Sequence, residues 1–117
     1  MSKSNSLEEG FLDLLFLNTA LANVGDASGL QPSAAAGSLY ISLHTADPGE
    51  AGSQTTSEIA YTGYARVAVA RTGAGFTRTG STINPAAAVT FGQRTNAGSA
   101  TATYFGIGTD ASGAGTL

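Results

Sequence analysis

His44, Asp47 and Glu50 fall within seven residues, and they bring an imidazole and two carboxylates together in the sequence. Such a set could hold one cation or share acid–base work. His44, however, ends an alternating segment, while the carboxylates belong to an Asp47-Pro48-Gly49 turn. A lone His beside that kind of turn is more often a hydrogen-bonded strand end, so no metal ligand is assigned. The chain has no second His and no Cys, which excludes thiolate metal sites and disulfides. Ser is plentiful, but no Gly-x-Ser-x-Gly elbow accompanies His44. Gly106-Ile107-Gly108 and Gly113-Ala114-Gly115 lack the Lys-Ser/Thr end of a phosphate loop and the strand-to-helix setting of a dinucleotide fingerprint. Tyr61, Tyr64, Arg66 and Arg71 form the densest aromatic–basic group. Residues of these types anchor interfaces, and the rings could stack on a sugar or base. Their alternation favours use within a sheet. No catalytic set, metal or cofactor follows from these residues, and the chain is not expected to be an enzyme.

The elements that would position these residues begin with a helix. Ser6-Leu7-Glu8-Glu9 fits a capping box with Ser6 as N-cap. Apolar residues recur from Leu7 to Val24, wrapping more of the helix than one stripe, and Gly25 offers a stop. Residues 1–25 are therefore expected to be a helical docking element, residues 26–37 a linker, and residues 38–117 an antiparallel β-domain. Leu39, Ile41 and Leu43 alternate with Tyr40, Ser42 and His44, the pattern of a strand with one face in the core. Glu50–Ser57 reads as a polar surface loop. A second strand is expected over Tyr64–Thr72, with Val67, Val69 and Ala65 inward and Arg66 outward. Gly73-Ala74-Gly75 leads into Phe76–Thr79, and further strands are expected over Ala88–Phe91 and Thr101–Thr109, where Thr101, Thr103, Phe105 and Ile107 share a face. The whole reads as mainly β with one N-terminal α-helix, a small antiparallel β-sandwich or open barrel.

Composition narrows the function. Ala, Gly, Thr and Ser make up just over half of the 117 residues, whereas Leu, Ile, Val and Phe supply only about a fifth. Backbones can approach closely in such a chain, but few large side chains are available to fill a core, and burial against other subunits would compensate. Five basic residues and a net charge of −3 argue against a nucleic-acid binder. No apolar run reaches the length of a membrane span, and Glu8 and Glu9 precede the apolar stretch where a signal peptide carries positive charge. A soluble intracellular product is expected. Residues 1–60 carry seven acids and one Lys; residues 61–117 carry one acid and four Arg. The two halves could attract one another within one subunit or between copies.

Leu39-Tyr40-Ile41-Ser42-Leu43-His44-Thr45-Ala46-Asp47-Pro48-Gly49-Glu50-Ala51-Gly52 resembles a block found in short virion proteins of tailed bacteriophages and prophages. The likeness continues through Ala60–Val69, Ala86–Phe91 and Ser99–Thr109, and at Leu14–Thr19. Members are variously labelled minor tail, tail-fibre-like or head-associated proteins. The resemblance brings no catalytic residues. Relatives tend to continue for another strand or two beyond the Ser112–Gly115 turn, which implies truncation here or completion of the sheet by a neighbour. The expected function is therefore that of a structural virion protein, in the first place a capsid decoration or cement protein. A minor tail or tail-fibre-associated protein is the alternative, and a carbohydrate-binding adhesin module a further one. Expected partners are other copies of the chain and the major capsid or tail proteins, not nucleic acid or membrane. The contact residues would be Leu7, Phe11, Leu12, Leu14, Leu15 and Phe16 of the helix, with Tyr61, Tyr64 and Arg66 of the β-domain.

Overall fold

A computed structural model describes residues 3–117. It has one helix, α1 (Asn5–Phe16), and five strands: β1 (Ser38–His44), β2 (Val67–Ala70), β3 (Phe76–Thr79), β4 (Thr82–Pro85) and β5 (Tyr104–Gly108). The fold is mainly β with a single N-terminal helix. A three-stranded sheet has the order β2-β1-β5, β3 and β4 form a two-stranded sheet, and neither sheet closes on itself. By contacts the chain divides into two compact units that interleave along the sequence. A helical unit comprises Met1–Ser38 with Val69–Ala88, and a second unit comprises Leu39–Ala68 with Val89–Leu117.

In the helical unit, the N-cap of α1 is Ser4 rather than Ser6. The Ser4 hydroxyl accepts from the Leu7 amide at 3.3 Å, and Glu8 in the first turn complements the positive end of the helix. The helix also ends at Phe16, well short of Val24. Asn18 turns into the left-handed region at φ 52, a conformation Asn tolerates better than most residues. Its side-chain amide then exchanges two hydrogen bonds with the Ser33 backbone, both 2.9 Å. Beyond it Leu21 and Leu30 exchange backbone bonds of 3.0 and 2.9 Å, so much of the expected linker is an ordered loop. No basic residue stands in the last turn of α1. Arg71 supplies the missing cation, donating to the carbonyls of Leu15 at 2.6 Å and Leu14 at 2.8 Å. Arg78 donates to Asp13 and pairs with Glu9 on the helix flank. Both contacts join acids or carbonyls of the first half of the sequence to Arg of the second, as the charge asymmetry allows. The buried ring of Phe76 meets Phe16 edge-on, with centroids 5.0 Å apart.

The β3–β4 hairpin pairs Phe76 with Pro85 and Thr79 with Thr82, turning at Gly80. The strand expected over Ala88–Phe91 does not form. Thr82–Pro85 takes that role instead, with the proline at the strand end, where its missing N–H costs no internal ladder bond.

In the second unit, β1 pairs antiparallel with β5, setting Tyr40 opposite Gly108 and His44 opposite Tyr104. Leu39 and Ile41 are buried as the alternation requires, but Ser42 and His44 are buried too, so the strand is covered on both faces from Ile41 onward. The second expected strand shortens to Val67–Ala70, with Val67 and Val69 half-buried as expected, while Ala65 is exposed. Phe105, expected on the inner face of the last strand, is 70% exposed on edge strand β5.

Candidate functional site

Phe11 and Leu15 lie one turn apart on α1 and are 48% and 51% exposed. With Lys3, Glu8, Leu12 and Ser81 they line a cleft of about 320 Å³. Leu7, Leu12, Leu14 and Phe16 are half-buried, and Phe16 is occupied by Phe76. Of the six helix residues expected to make contacts, the structure thus leaves Phe11 and Leu15 most open.

In the second unit, Tyr61, Tyr64 and Arg66 do come together, on a loop whose turn is closed by the Tyr64 amide on the Tyr61 carbonyl at 3.0 Å. Arg66 does not face outward. Its side chain is 3% exposed and grips the Glu58 carboxylate in bidentate fashion, Nε on Oε1 and Nη2 on Oε2, each at 2.7 Å. Arg66 also donates to the carbonyls of Asp110 at 2.9 Å and Gly113 at 2.7 Å, fastening the 110–113 loop to this centre. The Tyr64 hydroxyl donates to Glu58 Oε1 at 2.8 Å and accepts from the Leu43 amide at 3.0 Å. Hydrogen bonding from Arg66 holds the Glu58 carboxyl below its ordinary value against the opposing effect of burial. Burial, with the neighbouring carboxylate, pushes the Tyr64 phenol up to about 12. The Glu58 hydrogen bond raises Arg66 further.

Three rings run in sequence from this centre. Tyr61 and Tyr64 have centroids 5.4 Å apart, and Tyr64 and Phe91 stack at 6.1 Å with an interplanar angle of 11°. Tyr61 donates its hydroxyl to the Gly92 carbonyl at 2.8 Å. The two tyrosines, Glu58, Arg66 and Arg94 line a wide-mouthed concavity of about 810 Å³. Arg71, the fourth member of the aromatic–basic group, belongs to the helical unit instead.

His44 and Ser42 are fully buried. His44 Nδ1 lies 2.8 Å from the Thr56 carbonyl, which can only accept, so Nδ1 carries a proton; in the neutral ring Nε2 then accepts from Ser42 Oγ at 2.8 Å. The pair has serine–histidine geometry but presents no atom to solvent. Asp47 is exposed and accepts from the Gly49 amide at 2.9 Å, and Glu50 is exposed beyond it. The three sequence neighbours therefore do not converge, and among the described residues no group of three or more His, Cys, Asp or Glu could hold a metal ion.

Glu58, Gln54, Arg94 and Asn96 are parts of this region that sequence reasoning missed. Gln54 lies in the polar stretch expected at the surface, yet it is fully buried. Its Oε1 accepts from the Asp110 amide at 2.9 Å, and its Nε2 has no protein partner. Gly108 and Gly115 flank it so closely that a Cβ on either would overlap its amide. The Gly106–Gly108 and Gly113–Gly115 pairs give the one sequence signal for this close approach.

Among proteins of known family, residues 2–117 match the family model Gp80, described as podophage GP4 fiber I protein gp80. No curated protein and no solved structure matches the chain.

Proposed function

The chain belongs to the podophage GP4 fiber I protein gp80 family and is a phage structural protein; on that premise we propose that it is a non-catalytic, fibre-associated subunit of the virion. The observation that carries this reading is the match across residues 2–117, which favours the fibre-associated alternative over capsid decoration. The exposed pair Phe11 and Leu15 supports assembly through α1, against other copies or a major virion protein. Neither nucleic acid nor membrane is a partner in this reading. Eight acidic residues against five basic ones disfavour polyanionic nucleic acid and anionic lipid surfaces alike.

Copy number tests the location. Quantitative mass spectrometry of purified particles, with immunogold labelling, should find a modest number of copies on fibres; hundreds of copies spread over the capsid would restore the decoration reading. Phe11→Asp and Leu15→Asp should leave circular dichroism unchanged and abolish entry into particles. Normal incorporation of both variants would rule out the α1 face as the assembly surface.

A further inference from the structure

We propose that the concavity of the second unit is a saccharide-binding cleft, in which Tyr61 and Tyr64 form a stacking platform for a neutral hexose. The inference stands on the geometry of the cleft and does not require the fibre assignment. Its volume of about 810 Å³ falls in the range of ligand sites, roughly 300–1,000 Å³, and leaves room for a short oligosaccharide. The rings are held in advance. The Tyr64 hydroxyl is fixed by Glu58 and the Leu43 amide, Tyr61 by the Gly92 carbonyl, and Phe91 backs Tyr64. With their hydroxyls already engaged, the tyrosines offer chiefly their ring surfaces. An electron-rich ring face suits the polarised C–H bonds of a pyranose.

Around this platform the exposed side chains of Thr55, Thr62, Asn96 and Ser112 supply hydroxyl and amide groups of the kind that bond sugar hydroxyls. Charge selects the ligand class. Arg66 and Glu58 neutralise one another, and Arg94 donates to the carbonyls of Asn96 at 3.1 Å and Ala97 at 3.0 Å. Arg94 keeps its charge, but the second unit carries four carboxylates against two guanidinium groups, a balance that favours a neutral saccharide over a phosphate or nucleic acid. Arg66, expected to touch a ligand directly, acts here as the brace beneath the platform.

The full chain would be applied to an array of immobilised neutral and acidic oligosaccharides, and its strongest neutral ligand followed by saturation-transfer NMR. Tyr61→Ala should weaken binding about tenfold or more, whereas Tyr61→Phe, which keeps the ring, should bind within about twofold of the parent. If Tyr61→Ala is misfolded by circular dichroism, Asn96→Ala, an exposed position, takes its place and should weaken binding several-fold. Three outcomes overturn the proposal: an array with no bound saccharide, binding confined to acidic glycans, or neutral-glycan binding indifferent to both Tyr61→Ala and Asn96→Ala. A blank array from a chain that particle analysis places on fibres would remove the cleft assignment and leave the fibre reading intact.

Discussion

The two units meet the same shortage of large side chains in different ways. The helical unit leaves apolar residues outside, with Phe11 and Leu15 open on α1, and buries a single large ring, Phe76. Its helix is secured by guanidinium groups, Arg71 at the C-terminal carbonyls and Arg78 on the acidic flank. The second unit takes polar groups inside. Beside Leu39, Ile41 and Ile59 it buries Ser42, His44 and Gln54, and it closes over the Glu58–Arg66 pair. Where apolar volume is scarce, directional bonds can fix a structure that dispersion alone would leave loose, provided nearly every buried group finds its partner. The second unit is therefore the better place for a preformed cleft, while apolar surface for assembly is offered by both units, at Phe11 and Leu15 on α1 and at Tyr104 and Phe105 on edge strand β5.

That contrast is most exposed at Arg66. Arg66→Met strands the Glu58 carboxylate and frees the 110–113 loop, and should cost about 3–5 kcal/mol in denaturant unfolding. A loss below about 1 kcal/mol would show that the second unit does not depend on its polar network. Phe76→Ala should cost about 3 kcal/mol and perturb the helical unit first, read as early loss of helical circular dichroism. Arg71→Gln should cost about 1 kcal/mol and trim helical signal without touching the cleft. The smallest effect is electrostatic. The Glu58 carboxyl titrates below its ordinary 4.5 in the folded chain, so the unfolded chain binds its proton first on acidification. Its contribution is full above that pH and is lost as pH falls through the lower folded value. Stability plotted against pH should lose part of this acid limb in Glu58→Gln. At the other extreme, ultraviolet titration should show Tyr64 ionising near pH 12, a late step that Tyr64→Phe removes.

Features carried by adjacent residues were legible in the sequence, and features carried by distant ones were not. Tyr61, Tyr64 and Arg66 are close in the chain and meet in space. Glu58 stands only eight residues from Arg66, yet it sits beyond a polar run whose composition resembles a solvated loop, and the same run hides Gln54. Their burial depends on β5 and the 110–115 segment arriving from the far end of the sequence. The helix start was displaced by two residues because Ser4 and Ser6 offer the same capping hydroxyl. Its end was overrun because the apolar pattern continues to Val24, while the stop is tertiary, made by Asn18 bonding Ser33. The β4 strand does not stand out in the sequence because Asn84 and Pro85 are residue types that favour turns, although at a strand end proline is no obstacle.

The register of β1 against β5 also sets an order of events in the cell. Ser42 and its neighbour Gly106 are 64 positions apart, whereas the segments of the helical unit are complete by Ala88. At about 5–20 residues per second, translation needs roughly 3–13 s to cross the interval between β1 and β5. Through that time Leu39 and Ile41 wait beside an unfilled edge, although before it ends every segment of the helical unit has already been made. The second unit is then a late, high-contact-order closure, and the nascent chain is most vulnerable to aggregation in the seconds before Tyr104–Gly108 emerges.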